Sequence, residues 1–391
     1  LLMVAAPLIA TFFTQPKLVW LTRLMALVLP LGALAAVPDA LLTMRLQFRA
    51  RAGAEVIASL CSGAVAVLLA WQGFGVWSLA WQAVIAIAIR GAMLWVFSGW
   101  RPRGHFRAAS FQSLFGFGGY MLITGLLNTI AVRMQAILIG KFFDASQLGY
   151  YTLAQNTQQA PTSLMGSILT RVGLPVFSSI ADDRQKLLAA LRASLSMAMF
   201  LFVPCMVGIA LIAKPLVELL YGARWVNAAP ILTILALSAA LWPIHVLNLA
   251  AIGAQGKSSL LLRVEVIKQL AVIGLIAVCS PGGPVAIAWA VFGGSIISVM
   301  INTHYSQKLL GYGALAQIMD QSATFALSAA AAIAGWAVLH WTNPSPITMV
   351  NALAASAAVY LLLAALTRNN ALIGLLSLIR TLCAKPYAPR L

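Results

Sequence analysis

Six basic residues lie inside long apolar stretches of the chain. Arg23 and Arg263 are near the ends of their stretches, whereas Arg90, Arg133, Arg171 and Lys268 lie deeper. A charge within a membrane-embedded stretch costs about 3 kcal/mol on insertion scales, so such a residue tends to face a cavity or a partner. Arginine offers planar N–H donors to phosphate oxygens, and lysine offers a compact positive charge. The four residues are therefore candidate ligands for an anionic group such as a diphosphate. The alternative is snorkelling, in which the long stem lies in lipid while the charged head reaches the interface.

Uncharged polar residues accompany these cations in two adjacent apolar stretches. Asn128 and Gln135 are seven residues apart, and Gln155 and Gln159 are four apart, so each pair falls on one face of a helix. Amide side chains both donate and accept hydrogen bonds, which suits sugar hydroxyls. Two polar faces on neighbouring helices predict a hydrated, substrate-lining surface. Hydrogen bonding between the helices themselves is the alternative explanation.

Glu265 precedes Lys268 by three residues and shares its helical face. An ion pair between them would lower the cost of inserting both charges, and this explanation stands beside a substrate contact for Lys268. Glu265 is also the candidate for ion coupling, because antiporters of cations need a carboxylate within the membrane. The chain holds only eight acidic residues, and the others fall in loops or near the ends of apolar stretches.

Motifs for catalysis, metals or nucleotides do not appear in the sequence. The four cysteines are scattered without metal-ligand spacing. The segment that ends in Gly256, Lys257 and Ser258 resembles a phosphate-binding loop, but Ala251 stands where the first glycine of that motif is required. We therefore predict a turn there, and we expect no enzyme, no cofactor and no metal site.

The elements that position these residues are predicted to be membrane-spanning helices. Of 391 residues, 62% are hydrophobic and 8% are charged, against about 45–50% and about 25% in soluble domains. This composition excludes a soluble globular protein. Twelve apolar runs have roughly the length of a membrane span. They cover residues 1–13, 18–40, 54–72, 75–98, 114–140, 149–177, 193–213, 229–252, 259–279, 285–305, 321–341 and 347–366.

The net charge of +17 is distributed unevenly between alternate loops. One set of loops holds four basic residues: Lys17, Lys141, Lys214 and Arg224. The other set and the tail hold Arg45, Arg49, Arg51, Arg101, Arg103, Arg107, Arg184, Lys186, Arg192, Lys257, Lys308, Arg368, Arg380, Lys385 and Arg390. The positive-inside rule places this richer set in the cytoplasm. The basic charge is thus an orientation signal, and we predict no nucleic-acid partner.

An internal repeat relates the first third of the chain to the middle third. Residues 8–10 match residues 211–213, and residues 55–57 match residues 265–267. Two similar helical lobes are therefore expected around a central cleft. Residues 1–110 would form a partial first lobe of four helices, residues 111–310 a second lobe of six, and residues 311–391 two further helices with a basic tail. The first two helices of the second lobe have no counterpart, so we expect an intact protein of fourteen helices.

Several strings, taken in order, resemble those of one transporter family. They are Leu114-Phe115-Gly116-Phe117-Gly118-Gly119, Gly149-Tyr150-Tyr151-Thr152-Leu153-Ala154, Arg171-Val172-Gly173-Leu174-Pro175-Val176-Phe177 and Tyr221-Gly222-Ala223-Arg224-Trp225. The chain resembles the polysaccharide transporter family, the lipid-linked oligosaccharide flippases of the multidrug/oligosaccharidyl-lipid/polysaccharide exporter superfamily. Against that family, we expect the first two helices to be missing from this sequence.

This resemblance implies a flippase of the bacterial inner membrane. It would move an isoprenyl-pyrophosphate-linked oligosaccharide across the membrane for surface polysaccharide synthesis, with membrane lipids as partners and the polysaccharide polymerase machinery as a further candidate partner. An ion-coupled multidrug antiporter of the same superfamily is the alternative. A membrane scaffold for polysaccharide-assembling enzymes is a third hypothesis, in which Arg90 and Lys268 would have no role in transport.

Overall fold

The structure is a computed structural model of the chain. It describes residues 1–45, 47–101, 129, 133–256, 258–342, 345–369 and 371–374; at 167, 168, 170–175, 258, 259 and 262 it describes the backbone alone. These residues form helices joined by short turns, and none of them lies in a strand. The chain divides into two compact units, residues 1–124 and residues 125–391.

The first unit is a bundle of apolar helices. They are α1 Leu2–Phe12, α2 Leu18–Ala26, α3 Val28–Met44, α4 Phe48–Trp71 and α5 Val76–Ser98. Small residues let α3 and α5 approach closely: a Cβ on Gly91 would lie 3.5 Å from the Ala35 methyl carbon. Close packing of small residues is the usual means by which helices associate in lipid, where no hydrophobic effect drives them together.

The second unit contains the longer helices. They are α6 at residues 133–142, α7 Ala145–Ser179, α8 Arg184–Leu211, α9 Ala213–Tyr221, α10 Ala229–Ala239, α11 Trp242–Ala254, α12 Ser258–Cys279, α13 Gly283–Leu310, α14 Ala314–Trp341 and α15 Pro346–Leu366. Short 3₁₀ turns at Ala223–Ala228 and Ser280–Gly282 connect some of them. Two clusters of buried apolar side chains form the core between α7, α8, α10, α11 and α13.

Helices α8, α14 and α15 meet at a crossing that leaves no room for a side chain on Gly335. A Cβ there would lie 2.6 Å from Leu211 Cδ2 of α8 and 3.0 Å from the Ala352 carbonyl oxygen of α15. Helices α14 and α15 therefore pack within the second unit. The predicted separation of residues 311–391 as a third part remains a prediction.

The predicted apolar runs coincide closely with these helices, and the all-helical membrane fold is confirmed. In the described part of the chain, eight helical stretches are long and apolar enough to cross a membrane. One of them, 263–310, covers most of α12 and all of α13. Helix α7 has 35 residues but is too polar to be counted among the eight. The total of twelve spans remains a prediction, since most of the predicted span 114–140 lies outside the described residues.

Candidate functional site

A polar cavity lies in the second unit between α6, α7, α10, α11 and α13. Its volume is about 160 Å³. It is lined by Gln135, Gln155, Gln158, Thr162, Leu235, Ser238, Ala239, Trp242, His245, Val291 and Ser295. Apart from His245, the polar residues in this lining are uncharged amides, hydroxyls and an indole, so the cavity offers hydrogen bonds without fixed charge.

The polar face of α7 forms one wall of the cavity. Gln155, Gln158 and Thr162 are spaced three and four residues apart, so they form one stripe along the helix. Gly166, one turn further, allows α7 to approach α11, because a Cβ there would lie 2.7 Å from the Trp242 ring. Three of the side chains that make α7 polar are therefore turned toward the cavity, whereas Asn156 and Gln159 of the same helix are exposed.

Hydrogen bonds fix the amides that surround the cavity. The Gln135 Oε1 atom accepts a hydrogen bond from the Tyr151 hydroxyl at 3.0 Å and another from Gln155 Nε2 at 3.1 Å. Gln158 Nε2 donates to Thr162 Oγ1 at 2.7 Å. The lone pairs of Gln135 Oε1 are thereby occupied, while its amide nitrogen has no hydrogen-bond partner among the described residues. The wall thus presents free donors as well as acceptors.

The opposite wall joins α10, α11 and α13. The hydroxyls of Ser238 and Ser295 are 2.7 Å apart. His245 Nδ1 lies 3.3 Å from Nδ2 of Asn302, a residue with no exposed surface. Neutral donors and acceptors of this kind can bind water or the hydroxyl groups of a sugar, whereas an isolated ion would lack a counter-charge here.

Arg90, a predicted cleft cation, lies in the first unit and is paired with acidic residues. Its Nε atom is 2.8 Å from Glu55 Oε2, and its NH2 nitrogen is 3.3 Å from Asp39 Oδ2. Arg51 also contacts Asp39, with 2.8 Å between Nε and Oδ1. The two arginines and two carboxylates cancel in charge, and they bridge α3, α4 and α5. An anionic substrate would have to compete with these carboxylates.

Lys268 and Glu265 form the ion pair that their spacing predicts. Glu265 also accepts a hydrogen bond from Gln269 Nε2 at 3.0 Å. The Lys268 side chain is only 13% exposed, whereas that of Glu265 is 39% exposed. The pair is therefore partly buried in α12, and neither charge is free. Whether Lys268 contacts substrate and Glu265 couples ions remains a prediction.

Of the other predicted site residues, some line the cavity and some do not. Gln135 and Gln155 line the cavity and hydrogen-bond to each other. Gln159 is exposed and does not line it, and Arg133 is exposed at the start of the described part of α6. The backbone of Arg171 lies in α7, but its side chain is outside the described part, as is Asn128 entirely. The roles predicted for these residues remain predictions.

Sequence reasoning did not single out Gln158, Ser238, Trp242 or Ser295 as site residues. Gln158 follows Gln155 by three residues, so the stripe on α7 contained the signal for it. The two serines offer no such signal, since a serine in an apolar helix commonly bonds to its own backbone. Only the packing of α10 against α13 shows that Ser238 and Ser295 face each other.

An apolar groove of about 480 Å³ lies in the same unit, between α8, α14 and α15. Its lining includes Phe200, Pro204, Ala331, Leu353 and Leu361. Three residues of this lining carry hydroxyls. Tyr360 donates to the Phe200 carbonyl oxygen at 2.8 Å, and Ser328 donates to the Thr324 carbonyl oxygen at the same distance. The buried Ser356 Oγ atom has no hydrogen-bond partner among the described residues, and most of the remaining lining is apolar. The groove is therefore suited to hydrocarbon.

Charged groups at the helix ends of the second unit are held by local contacts. Tyr312, between α13 and α14, donates to Asp320 Oδ2 at 2.7 Å and lies under the Arg192 guanidinium, 4.7 Å from its ring centre. Burial, and then the bond to Asp320, raise the pKa of Tyr312 above its ordinary value. Hydrogen bonds and the charge of Lys186 lower the pKa of Asp183. Both groups thus keep their ordinary charge states near neutral pH.

The apolar helices define a multi-pass membrane protein, and a polar cavity and an apolar groove lie among the helices of its second unit. Residues 1–230 match the family described as "Polysaccharide biosynthesis protein". The chain belongs to this family, and it is a multi-pass protein of the bacterial inner membrane.

Named relatives agree with this membership. The chain is 28% identical over 300 residues to "Succinoglycan biosynthesis transport protein ExoT" of Rhizobium meliloti (strain 1021), covering 77% of this chain and 58% of that protein. It is 23% identical over 370 residues to "Teichuronic acid biosynthesis protein TuaB" of Bacillus subtilis (strain 168), covering 93% and 77%. With "Lipopolysaccharide biosynthesis protein WzxC" of Escherichia coli (strain K12) it shares 25% over 233 residues, covering 58% and 47%.

A solved structure shares the fold. The chain superposes on "Lipid II flippase MurJ, inward closed conformation" with a TM-score of 0.75 and 16% sequence identity, covering 93% of this chain and 79% of that one. At this identity the likeness concerns the fold alone. It confirms that the helices follow the arrangement of a known membrane transporter.

Proposed function

We propose that this protein translocates an isoprenyl-diphosphate-linked oligosaccharide across the membrane for surface polysaccharide synthesis. The observation that carries the proposal is the uncharged polar cavity among α6, α7, α10, α11 and α13 of a family member. Amides and hydroxyls within a membrane bundle are costly unless they are used or paired, so free donors facing a cavity favour a hydroxyl-rich ligand. The carboxylate-based cation site of the alternative, a multidrug antiporter, has no counterpart in this lining.

The apolar groove between α8, α14 and α15 supports the lipid part of the proposal. An isoprenyl chain gains free energy wherever it exchanges water for apolar surface, but it gains little by leaving lipid for an apolar groove. The groove would therefore guide the chain rather than provide affinity. Its presence in the same unit as the polar cavity fits a substrate with one hydrocarbon end and one sugar end.

Arg90 and Lys268 would bind the diphosphate of the substrate if their carboxylate partners release them. Each is ion-paired here, to Asp39 and Glu55 and to Glu265 respectively. Exchange of a carboxylate for a diphosphate keeps a cation paired throughout, which avoids the cost of an isolated buried charge. We therefore retain both as candidate substrate ligands, acting by exchange.

The first test replaces single amides of α7. In a strain of the source organism lacking the gene, we expect Gln155→Leu to lower surface polysaccharide at least several-fold and to raise the amount of lipid-linked oligosaccharide on the cytoplasmic side. The matched control is Gln159→Leu, one turn away and exposed, which should export like the wild type. Membrane abundance is measured for each variant. Equal export by both variants at equal abundance would show that the cavity has no role in translocation.

The second test concerns the cations. We expect Arg90→Gln and Lys268→Gln to reduce export. Arg90→Lys should export little more than Arg90→Gln, since lysine cannot provide the planar donors of arginine. The control is Asp39→Asn, which removes one carboxylate partner of the guanidinium and leaves its contact with Glu55. If Asp39→Asn and Arg90→Gln reduce export and thermal stability to the same extent, Arg90 is a structural ion-pair residue and its substrate role is wrong.

A further inference from the structure

One face of α8 stays outside the apolar core and lines a surface cavity of about 550 Å³, here called the α8 cavity. The opposite face of the helix, with Leu187, Leu191 and Leu195, is fully buried in the core. Ala371 and Gly374 form the other described wall. The lining residues of α8 are three or four positions apart, as one helical face requires, and they are Gln185, Leu188, Ala189, Arg192, Ala193, Ser196 and Met197. The α8 cavity shares no described lining residue with the polar cavity or the apolar groove.

Polarity changes along the α8 cavity. Gln185 and Arg192 lie toward the start of α8, whereas Met197 lies about 18 Å beyond Gln185 at 1.5 Å per residue. The positive-inside rule places the start of α8 at the cytoplasmic face. Since the headgroup layer of one leaflet is about 5–8 Å thick, a cavity of this length extends from the headgroups into the hydrocarbon. Its ligand should therefore have an anionic end near the cytoplasm and an apolar end deeper in the membrane.

Arg192 is the charged side chain among the described lining residues, and its neighbours orient it. Its guanidinium lies 4.7 Å from the ring centre of Tyr312, a residue with no exposed surface. The Tyr312 hydroxyl donates to Asp320 Oδ2 at 2.7 Å, and the same oxygen lies 3.6 Å from Arg192 Nε. This ion pair is longer than a hydrogen bond and partly exposed, so it holds the guanidinium only weakly. With its side chain 51% exposed, Arg192 is oriented and still able to donate to a phosphate.

Ser196 supplies a second polar contact, four residues or about 6 Å further along α8. Its oxygen accepts a hydrogen bond of 3.4 Å from Nε2 of Gln321, which is 1% exposed. The Ser196 hydroxyl has no acceptor in the described part of the chain, so its hydrogen is available to a ligand in the cavity. In a glycerophospholipid the ester carbonyls follow the phosphate by the length of the glycerol unit, which suits the step from Arg192 to Ser196.

We propose that the α8 cavity binds an anionic glycerophospholipid of the cytoplasmic leaflet. The lipid phosphate accepts hydrogen bonds from Arg192, an ester carbonyl accepts one from Ser196, and an acyl chain lies against Met197 and Ala371. A lipid of the surrounding membrane is a ligand distinct from the transported substrate, so this proposal does not rest on the proposed function.

Charge and shape favour this ligand over three related ones. Arg184, exposed at the same helix end, attracts anionic headgroups, whereas a zwitterionic headgroup brings a cation toward Arg192. A free phosphate makes no use of the apolar side chains in the lining. An isoprenyl phosphate combines a phosphate with hydrocarbon but has no ester carbonyl for Ser196. These three alternatives therefore supply the comparison probes.

The direct test measures lipid binding by the purified, delipidated full chain in a non-ionic detergent. The melting temperature is followed as dioctanoyl phosphatidylglycerol is added, because a ligand that binds the folded state stabilises it by mass action. Dioctanoyl phosphatidylcholine, inorganic phosphate and farnesyl phosphate are the comparison probes. We expect a saturable rise with phosphatidylglycerol, at an apparent Kd at least about tenfold below those of phosphatidylcholine and inorganic phosphate. Its Kd should also be lower than that of farnesyl phosphate.

Substitutions locate the lipid in the cavity. We expect Arg192→Gln to raise the Kd for phosphatidylglycerol at least about tenfold. The matched control, Arg184→Gln, removes an exposed charge outside the lining and should change this Kd less than about twofold. Ser196→Ala should weaken binding of phosphatidylglycerol and leave that of farnesyl phosphate unchanged. Ala193→Phe fills the cavity from an exposed position and keeps Arg192, so it should also weaken binding, and it tests the site if Arg192→Gln does not fold.

Each contrary result overturns the proposal. Equal binding of phosphatidylcholine would show that the cavity does not recognise headgroup charge, and equal binding of inorganic phosphate would show that it does not recognise acyl chains. Tighter binding of farnesyl phosphate would assign the cavity to isoprenyl lipids. Wild-type affinity in both Arg192→Gln and Ala193→Phe would place the bound phosphatidylglycerol elsewhere on the protein. None of these results bears on export by Gln155→Leu, so the proposed function is tested separately.

Discussion

Asp183 caps helix α8, and its contribution to the stability of the folded state depends on pH. It caps α8 by accepting hydrogen bonds from the backbone nitrogens of Gln185 at 3.1 Å and Lys186 at 3.0 Å, and it pairs with the Lys186 side chain at 3.0 Å. These contacts favour the carboxylate, so the pKa of Asp183 is lower in the folded state. Their stabilising effect is present above the unfolded pKa and is lost as the pH falls through the folded value.

We therefore expect Asp183→Asn to lower the melting temperature at neutral pH and to have no effect below the folded pKa of this carboxyl. Asparagine can still cap the helix but carries no charge. The measurement is thermal unfolding in detergent at neutral pH and at acidic pH. Asp182→Asn is the control, because Asp182 makes no hydrogen bond or ion pair with the described residues. A deficit that is equal at both pH values would show that the charge of Asp183 is irrelevant.

At the residue scale, contacts within one helix could be predicted and contacts between helices could not. The Glu265 and Lys268 pair follows from a spacing of three. The partners of Arg90 lie 51 and 35 residues earlier, in α3 and α4, and only helix packing brings them together. Gln155 and Gln159 look equivalent in sequence, yet the cavity centres on Gln155, Gln158 and Thr162, and the rotation of α7 leaves Gln159 outside.

Helices α11, α13 and α14 are joined by a buried and fully paired set of polar side chains. Asn248 and Gln317 exchange two hydrogen bonds of 2.9 Å, and Ser306 donates to the same Asn248 oxygen. Asn248 and Ser306 have no exposed surface, and Gln317 is 1% exposed. Such a network fixes the register of three helices, because a shift of one helix would leave buried groups unpaired.

We expect Asn248→Leu and Gln317→Leu each to lower the free energy of unfolding by about 1–3 kcal/mol, since each leaves a buried partner unsatisfied. The double variant should lose less than the sum of the two. The measurement is reversible unfolding in mixed micelles, arranged as a double-mutant cycle. Strict additivity would mean that the two amides do not act as a pair.

A substitution at Gly335 tests how closely α14 packs against α8 and α15. Because a Cβ would meet Leu211 Cδ2 at 2.6 Å and the Ala352 carbonyl oxygen at 3.0 Å, we expect Gly335→Ala to destabilise the protein by about 1–3 kcal/mol despite the better helix propensity of alanine. The control is Gly274→Ala in α12, where no atom lies within 4 Å of the added carbon. That variant should be at least as stable as the wild type; melting temperatures decide between these outcomes.

On the scale of the whole molecule, hydropathy and charge predicted the fold class well. The apolar runs at 54–72, 75–98 and 347–366 differ by only a few residues from α4, α5 and α15. Runs at 18–40 and 229–252 each correspond to two shorter helices, α2 with α3 and α10 with α11, since hydropathy does not register a break within an apolar run. The cavity could not be predicted, because its walls come from five helices whose rotations depend on packing.

The polarity of α7 has a consequence for biogenesis. A helix of 35 residues with a stripe of glutamine and threonine partitions poorly into lipid by itself, since each unpaired amide must be desolvated. Its stripe is shielded only when α10, α11 and α13 are in place, and these are synthesised later. During synthesis we therefore expect α7 to remain in contact with the insertion machinery, or with the earlier helices, until the downstream helices insert and pack against its polar stripe.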